Sequence, residues 1–285
     1  MLEGIARPIL VAELGKVHGG NMKTAKFMID NAKQAGCDFV KLQAYNADSM
    51  PKKHSNYKRY KQCHLTIDQL VILKVYCESI KIGCFCSIFN ADLVPQLAEK
   101  GFKFIKIPST YLGNKTFVDA CANHFVTLHV STGFHRMDQI DDILEKNYSR
   151  YKNNLVFYHC VSSYPAKKSK LIRLTEIVKI VYQRFNMDKL DLGYSDHTEG
   201  VEAMVHAWLM GANWLEFHFN PFGQRKTWEK GMREIAVLQN TISFSMGLME
   251  DTHADRAQEE KNLAFYKTEF PEEWICDGGE PPTAA

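Results

Sequence analysis

Two short phrases near the end of the chain combine side chains that are typical of catalytic or metal-binding sites. GYSDHTEG places a hydroxyl, a carboxylate and an imidazole side by side at Ser195, Asp196 and His197, and EFHF follows with Glu216 and His218. Two imidazoles on one metal ion leave coordination positions open for water and substrate, as catalysis requires. If the fold brings the two histidines together, the sequence predicts a divalent metal held by His197 and His218.

The residue types around these histidines do not select one metal. Imidazole and oxygen ligands suit manganese, zinc, iron or cobalt. We expect the neighbouring carboxylates, Asp196 and Glu216, to orient the imidazoles or to make structural hydrogen bonds rather than to bind the ion. A lone histidine is more often a structural residue, so the prediction depends on the elements that position the pair.

Short apolar runs alternate with longer amphipathic segments, which is the pattern of strands that are each followed by a helix. The predicted strands are Ile9–Leu14, Asp38–Gln43, Gly83–Ser87, Phe102–Ile107, Val126–Val130, Leu155–His159, Leu190–Tyr194 and Trp214–His218. The predicted helices are 22–35, 67–80 with Thr66 as its N-cap, 91–100, 114–123, 136–146, 170–186, 200–210 and 231–249.

Eight β/α units in about 250 residues predict a single-domain (β/α)8 TIM barrel over residues 1–249. A doubly wound open sheet is the alternative. It would be expected to carry a glycine-rich GxGxxG turn after the first strand, and the chain has GKVHGG there. An acidic tail over residues 250–285 is expected to form a helix and then a frayed end.

A TIM barrel places its catalytic groups at the C-terminal ends of the strands. The polar residues expected at those ends are Glu13, His18, Lys41, Gln43, Ser87, Lys106, Ser109, Ser131, Thr132, His159, Ser162, Ser163, Tyr164, Ser195, Asp196, His197, Glu216 and His218. Lysines and clustered hydroxyls at one face are typical of a phosphate or carboxylate site. Because neighbouring strands lie about 5 Å apart, the histidines that end strands seven and eight can reach one ion.

The composition limits which classes of binding partner and which cellular compartment are expected. A net charge of +2 and a pI of about 8.0 do not indicate a nucleic-acid-binding protein. No apolar run reaches the roughly 20 residues of a membrane helix, and no signal peptide is recognisable. The eight cysteines form no CxxC pair, so we expect buried free thiols in a reducing, cytoplasmic environment.

Eight ordered phrases, one at each strand end, carry a family resemblance over residues 8–219. They are AELGKVHGG, DFVKLQAY, CFCSIF, FIKIPS, HVSTGF, HCVSSYP, GYSDHTEG and EFHF. In this order they resemble the N-acetylneuraminate (sialic acid) synthase family, which includes synthases of related nonulosonic acids such as legionaminic and pseudaminic acid.

The resemblance implies a transferase that condenses phosphoenolpyruvate with an open-chain N-acylated amino-sugar aldehyde. The metal is expected to be manganese, with magnesium, cobalt or zinc as alternatives, and His197 and His218 are its implied ligands. Glu13 resembles the acid/base for the water that attacks C2, with Lys106 and His197 as further catalytic groups. The implied phosphoenolpyruvate contacts are Lys41, Ser87, Lys106, Ser109, Ser131, Ser162 and Ser195. Gln43 and Tyr164 resemble contacts to the sugar.

The departures from the family fall mainly on the sugar side. Val17-His18 stands where the family usually has Asn-His, and Ser87-Ile88-Phe89 where many members have Thr-Pro-Phe. RKTWEKGMREI lacks the Asp-His phrase whose aspartate contacts sugar hydroxyls in the family. We also expect no C-terminal antifreeze-like domain, which usually completes the family's dimer. The oligomeric state is therefore open, with a homodimer as one candidate.

Two charged segments have a structural and a functional interpretation. The acidic tail either lies on the barrel or serves as a lid or dimer contact. The loop PKKHSNYKRYK carries Lys52, Lys53, Lys58, Arg59 and Lys61, which are expected to be a solvated run or to steer anionic substrates.

Two other functions remain open at this point. The same lysines and histidines would serve a metal-assisted hydrolase of phosphate esters, and the departures on the sugar side fit a non-catalytic binding relative.

Overall fold

The computed structural model describes residues 6–49, 51–148, 151, 154–168, 173–184 and 190–248. Eight parallel strands close into a barrel in sequence order, and the first strand pairs with the last. The strands are β1 Ile9–Glu13, β2 Phe39–Ala44, β3 Gly83–Ile88, β4 Phe104–Ile107, β5 Thr127–Ser131, β6 Asn154–Cys160, β7 Leu190–Asp196 and β8 Trp214–His218. The predicted (β/α)8 barrel is therefore confirmed.

Helices connect successive strands. They are α1 Met22–Gln34, α2 Tyr57–Cys63, α3 Ile67–Ser79, α4 Leu93–Glu99, α5 Lys115–His124, α6 Met137–Tyr148, α7 Arg173–Arg184 and α8 Glu202–Leu209. Helical residues 232–239 follow β8. Helix α2 was not predicted from the sequence. The two ends of the helix expected at 170–186 lie outside the described residues.

Local sequence explains where several of these helices begin. The Thr66 hydroxyl accepts from the Gln69 amide while the Gln69 side chain accepts from the Thr66 amide, which is a capping box at the start of α3. Asn21 caps α1 and Asn114 caps α5 through their side-chain oxygens. These caps satisfy amide groups that have no partner inside the helix.

The alternation of side chains along each strand divides barrel core from barrel mouth. In β8, Trp214, Glu216 and His218 occupy alternate positions and therefore face the same side. Trp214 belongs to a buried interior cluster with Val11, Phe85, Val156 and Tyr158. The interior is thus apolar near the start of the strands, and the inward positions that follow it carry polar side chains.

Residues 6–239 form one compact unit that contains the whole barrel. The chain contacts assign residues 1–5 and 240–285 to a second unit, of which the described part, 240–248, is helical. The acidic tail expected at 250–285 lies outside the described residues. Among the residues that are described, no helix is long and apolar enough to cross a bilayer.

Candidate active site

A cavity of about 830 Å³ opens at the C-terminal ends of the strands. Its wall contains all the residues that were predicted for catalysis, substrate binding or metal binding. They are Glu13, Lys41, Gln43, Ser87, Lys106, Ser109, Ser131, Ser162, Tyr164, Ser195, His197 and His218. The residues that the strand pattern and the family resemblance together predicted therefore line one cavity.

The floor of the cavity is a buried cluster of charges around Glu216. One carboxylate oxygen, Oε1, lies 2.7 Å from the Lys41 ammonium and 2.7 Å from the Lys106 ammonium. The Ser195 hydroxyl donates to the same oxygen at 2.9 Å. A buried ammonium group needs an anionic partner, and Glu216 supplies it for both lysines.

Glu13 is held at the edge of this cluster by three contacts. Its Oε2 lies 2.9 Å from the Lys41 ammonium. Its Oε1 accepts from the Gln43 side-chain amide at 2.8 Å and from the Gly15 backbone amide at 3.1 Å. The carboxylate is 3% exposed and lines the cavity, so it has a fixed orientation beside a space that a substrate can enter.

The two lysines differ in how firmly they hold their protons. Burial disfavours the Lys41 ammonium, but Glu13 and Glu216 outweigh that effect and raise its pKa above the ordinary value. Burial lowers the pKa of Lys106 to about 8; Glu216 offsets part of this effect, and Lys41 adds to it. Burial opposes ionisation of Glu216, yet Lys106 and Lys41 hold the pKa of its carboxyl well below the usual range.

The Lys106 ammonium also lies over an aromatic ring. Its Nζ is 4.0 Å from the centroid of the Tyr158 ring, a distance at which a cation is attracted to the ring face. A Cβ at position 193 would come within 2.5 Å of that ring, so Gly193 is the residue that leaves room for Tyr158 under the lysine.

Small hydroxyl side chains converge around Gly133 in the loop after β5. A Cβ at this glycine would lie 2.4 Å from the Ser162 hydroxyl and 3.3 Å from the Ser109 hydroxyl. Ser87 and Ser131, at the ends of β3 and β5, are buried and line the same cavity. Hydroxyls that meet a glycine backbone beside two lysines form a surface suited to anionic oxygens.

The predicted pair of histidines comes together. The ring centroids of His197 and His218 are 5.2 Å apart. His197 Nδ1 lies 2.7 Å from the Val161 carbonyl oxygen, which fixes Nδ1 as the donor and leaves the Nε2 lone pair free. Burial lowers the pKa of His197 to about 3, with His218 adding to the effect. Burial likewise lowers the pKa of His218 to about 4, with Lys41 contributing.

Aromatic rings form one wall of the cavity beside this pair. The Tyr164 ring centroid lies 4.2 Å from that of His197 and 5.7 Å from that of His218. Trp228 continues the wall, with its ring 5.8 Å from Tyr164. Tyr164 is 48% exposed, so its ring is available to an entering substrate.

Gln43, for which the family resemblance implies a contact to the sugar, lines the cavity and is held by neighbouring protein groups. Its amide group donates to Glu13, and its carbonyl oxygen accepts from the Lys16 ammonium at 3.2 Å. Both ends of the side chain are therefore engaged by protein groups. The geometry makes Gln43 a support for Glu13.

Five residues expected at the strand ends do not line the cavity, and one of them, Asp196, is described in the next paragraph. His18 Nδ1 accepts from the Gly20 backbone amide, and the Thr132 hydroxyl donates to the Tyr158 carbonyl. The Ser163 hydroxyl donates to the Pro165 carbonyl, and His159 is buried next to Tyr194. The first three side chains stabilise local backbone.

The two acids next to the histidines do not orient the imidazoles by hydrogen bonds. The Val161 carbonyl orients His197, whereas Glu216 binds the two lysines. Asp196 forms a buried ion pair with Lys230. The structural alternative in the sequence interpretation therefore fits these acids, although their partners were not predicted.

The basic loop after β2 is only partly a solvated run. Tyr57–Cys63 forms helix α2, and Lys61 pairs with Asp48 on the surface. Of the five basic residues of this loop, only Arg59 lines the cavity. The helix explains the difference, because it turns successive side chains to different sides.

Sequence analysis missed several residues at the outer part of the cavity. They are Lys16, Tyr45, Tyr60, Lys226, Trp228 and Glu229. The Lys16 ammonium lies 3.9 Å from the Tyr60 ring centroid, a cation–π contact between the loops after β1 and β2. The only signal for these residues was their position in loops after strand ends, which does not show the direction of a side chain.

The fold and the site together define a class of protein. It is a closed TIM barrel whose strand ends carry two buried lysines, two carboxylates, a set of serines and a pair of neutral imidazoles in one cavity. Among solved structures, sialic acid synthetase from Leptospira borgpetersenii superposes with a TM-score of 0.77 at 24% identity, covering 86% of each chain.

Sequence comparison identifies the family. The NeuB family model matches residues 28–232, and the chain belongs to this family. It is 28% identical to N,N'-diacetyllegionaminic acid synthase of Legionella pneumophila over 74% of this chain and 63% of the relative. It is 29% identical to N-acetylneuraminate-9-phosphate synthase of Drosophila melanogaster over 74% of this chain and 59% of the relative. The match spans less than two thirds of both relatives.

Proposed function

We propose that this chain condenses phosphoenolpyruvate with an N-acylated sugar aldehyde of the N-acetylmannosamine class, giving a nonulosonic acid and inorganic phosphate. The observation that carries the proposal is the buried cluster of Glu13, Lys41, Lys106 and Glu216 at the floor of a cavity that also holds two neutral imidazoles. Membership of the NeuB family and relatives named as synthases of this product class support it.

Phosphoenolpyruvate carries a phosphate and a carboxylate, so its site must supply several donors. The Lys41 and Lys106 ammonium groups and the Ser195 hydroxyl already converge on one carboxylate oxygen of Glu216. The hydroxyls of Ser109 and Ser162 meet beside Gly133. These groups are fixed before substrate binds, so they can stabilise the charge that develops as phosphate departs.

The proposed condensation forms one carbon–carbon bond and breaks one carbon–oxygen bond. The π electrons of phosphoenolpyruvate form a bond from C3 to the aldehyde carbon, and the aldehyde oxygen takes up a proton from solvent. Water adds to the electron-poor C2 and gives a proton to the Glu13 carboxylate, which acts as the general base. The C2–O bond of the resulting tetrahedral intermediate then breaks, phosphate leaves with the bonding pair, and the C2 hydroxyl becomes the ketone.

The donor set at the histidines fits a divalent metal. His197 Nδ1 is fixed as a donor to Val161, so Nε2 presents its lone pair, and the second imidazole stands 5.2 Å away between ring centroids. Within the described residues, no group of three or more His, Cys, Asp or Glu side chains could hold a metal. His197 and His218 would hold the ion and leave its other positions to oxygen ligands, as suits manganese. A bound ion there would polarise the aldehyde oxygen.

The assignment is tested by incubating the protein with phosphoenolpyruvate, Mn²⁺ and a panel of sugars while phosphorus NMR follows phosphate. The panel contains N-acetylmannosamine, its di-N-acetyl 6-deoxy relatives and plain aldoses, and His197→Ala is the control. We expect phosphate release that requires an N-acylated sugar and is lost in His197→Ala. Release of phosphate from a sugar phosphate without phosphoenolpyruvate would instead show a hydrolase, and failure to bind phosphoenolpyruvate would contradict the proposal.

A further inference from the structure

A second lysine–carboxylate pair lies buried behind the wall of the cavity. The Lys230 ammonium is 2.8 Å from Asp196 Oδ2, and the two side chains are 1% and 0% exposed. Lys230 Nζ also donates to the carbonyl oxygens of Thr198 at 2.6 Å and of Trp228 at 3.2 Å. Neither member of the pair lines the cavity, so a substrate in that cavity does not reach them.

The aspartate of this pair is held by its own strand and turn. Its Oδ1 accepts from the Tyr194 hydroxyl at 3.0 Å, from the Thr198 backbone amide at 3.0 Å and from the Thr198 hydroxyl at 2.8 Å. These bonds fix the backbone on both sides of His197, which directly follows Asp196. Asp196 is therefore a firmly held member of the pair at the end of β7.

Lys230 connects Asp196 to the backbone of the other histidine, His218. The Lys230 backbone amide donates to the His218 carbonyl at 2.8 Å, and its carbonyl accepts from the Asn220 amide at 2.9 Å. Residues 219–230 thus leave β8 and return to it at Lys230. One buried side-chain pair connects the backbone that carries His197 to the backbone that carries His218.

We propose that Asp196 and Lys230 are a positioning pair that sets the spacing of the His197 and His218 imidazoles and thereby the affinity for a divalent metal. The part of this inference that concerns the metal rests on the proposed function. Burying two charges is costly, and apolar residues of similar size are often as stable. A role in placing the two rings accounts for a pair that does not touch the cavity.

The test uses Asp196→Asn/Lys230→Met, which removes both charges together and so leaves no unpaired buried ion. Mn²⁺ alone is titrated into the metal-free protein by calorimetry, and thermal melting reports the fold. We expect a melting temperature close to that of the wild type and a Kd for Mn²⁺ weakened about 10–100-fold, as for residues that support metal ligands. Asp196→Asn alone keeps the acceptor for Tyr194 and Thr198, and is expected to weaken Mn²⁺ binding in the same direction.

Arg225 and Glu234 supply a matched control in the same part of the chain. Their side chains pair at 3.0 Å and are partly exposed. Glu234 also accepts from the Gly231 backbone amide, and glutamine at position 234 keeps an acceptor for that amide. Arg225→Met/Glu234→Gln removes an ion pair of the same chemistry. It should leave the Kd for Mn²⁺ unchanged.

A readout without metal separates this inference from the proposed function. Proton–nitrogen NMR spectra of the imidazoles in the metal-free protein should show displaced His197 and His218 signals in the double variant and unchanged signals in the control. Unmoved signals in a folded double variant overturn the positioning role, as does an unchanged Kd for Mn²⁺. A wild type that neither binds Mn²⁺ nor consumes phosphoenolpyruvate would overturn the proposed function, and the imidazole spectra would still decide the positioning role.

Discussion

The barrel contains two buried lysine–carboxylate groups close in sequence or contact to the strands that carry the histidines, and they differ in whether they line the cavity. The cavity cluster, Glu13, Lys41, Lys106 and Glu216, lines an open space of about 830 Å³. The sealed pair, Asp196 and Lys230, does not line it. We therefore propose two uses for similar ionic chemistry in one barrel, which are substrate binding and proton transfer in the first group and support of the histidine backbone in the second.

One buried oxygen of the cavity cluster, on Glu216, has no hydrogen-bond partner in the described part of the chain. Glu216 Oε2 is buried without a hydrogen-bond partner among the described residues, although its other oxygen has three partners. A buried polar group without a partner is costly, and such a cost is expected where a site is built for a ligand. In the sealed pair, Asp196 Oδ2 likewise accepts no hydrogen bond, but the Lys230 ammonium lies 2.8 Å from it and also donates to two backbone carbonyls.

The largest expected effect is that of Glu13→Gln. The change keeps the size of the side chain but removes the carboxylate that we propose as the base for the attacking water. We expect kcat to fall about 10²–10⁴-fold, with phosphoenolpyruvate binding retained because Lys106 and the serines are intact. Steady-state kinetics and calorimetric binding to phosphoenolpyruvate measure the two quantities, and a normal kcat would remove Glu13 from the mechanism.

Lys230→Met should have the largest effect on stability. It leaves Asp196 as a buried, unpaired carboxylate, which costs about 3–5 kcal/mol in comparable cases. Chemical denaturation should therefore show a much lower free energy of unfolding for Lys230→Met than for Asp196→Asn/Lys230→Met. Equal losses in the two variants would contradict the ion pair as the source of the effect.

Lys106→Met removes the ammonium group that has the lower pKa of the two lysines in the cavity cluster. We expect kcat to fall about 10²–10³-fold, the usual loss when one group that stabilises transition-state charge is removed.

Lys106 also predicts a pH dependence. Because its pKa is lowered to about 8, the ammonium is present below pH 8 and is lost as the pH rises through that value. Phosphoenolpyruvate should therefore bind more weakly at about pH 9 than at about pH 7, by up to roughly tenfold. Calorimetry at the two pH values should show a slope in the wild type that is flat in Lys106→Met, and the same slope in both would assign the titration to another group.

Arg59→Ala should have the smallest effect. Arg59 lines the cavity and is exposed, so we expect it to attract anionic substrates rather than to hold them. We expect kcat/KM for phosphoenolpyruvate to fall less than about tenfold, with the difference disappearing at high ionic strength. Lys52→Ala is the control, because Lys52 belongs to the same basic run but does not line the cavity.

The contrast between the two groups also shows what the sequence could predict. The strands of a parallel barrel alternate between two faces, so the change from Phe39 to Lys41 in β2 or from Trp214 to Glu216 in β8 identifies the inward polar positions. Closure of the barrel then brings them together without further information. The cavity cluster and the histidine pair follow from this regularity.

The sealed pair does not follow from it, because Lys230 lies in a loop where a lysine ordinarily faces water. Its burial depends on the path of residues 219–230, which returns to β8 through backbone bonds at His218 and Asn220. Arg59 is unpredictable for a related reason, since α2 decides which member of a basic run turns toward the cavity. The path of the segments that connect the strands, rather than the residue type, sets the positions of Lys230 and Arg59.

The most direct test of the proposed chemistry is the fate of oxygen from water. The reaction is run in ¹⁸O-labelled water with phosphoenolpyruvate, Mn²⁺ and the accepted sugar, and the phosphate is examined by phosphorus NMR. If water adds to C2 beside Glu13 and the C2–O bond breaks, the released phosphate contains no ¹⁸O and the label enters the new keto acid. Phosphate that carries one ¹⁸O would show attack at phosphorus, and would contradict the condensation mechanism in favour of hydrolysis.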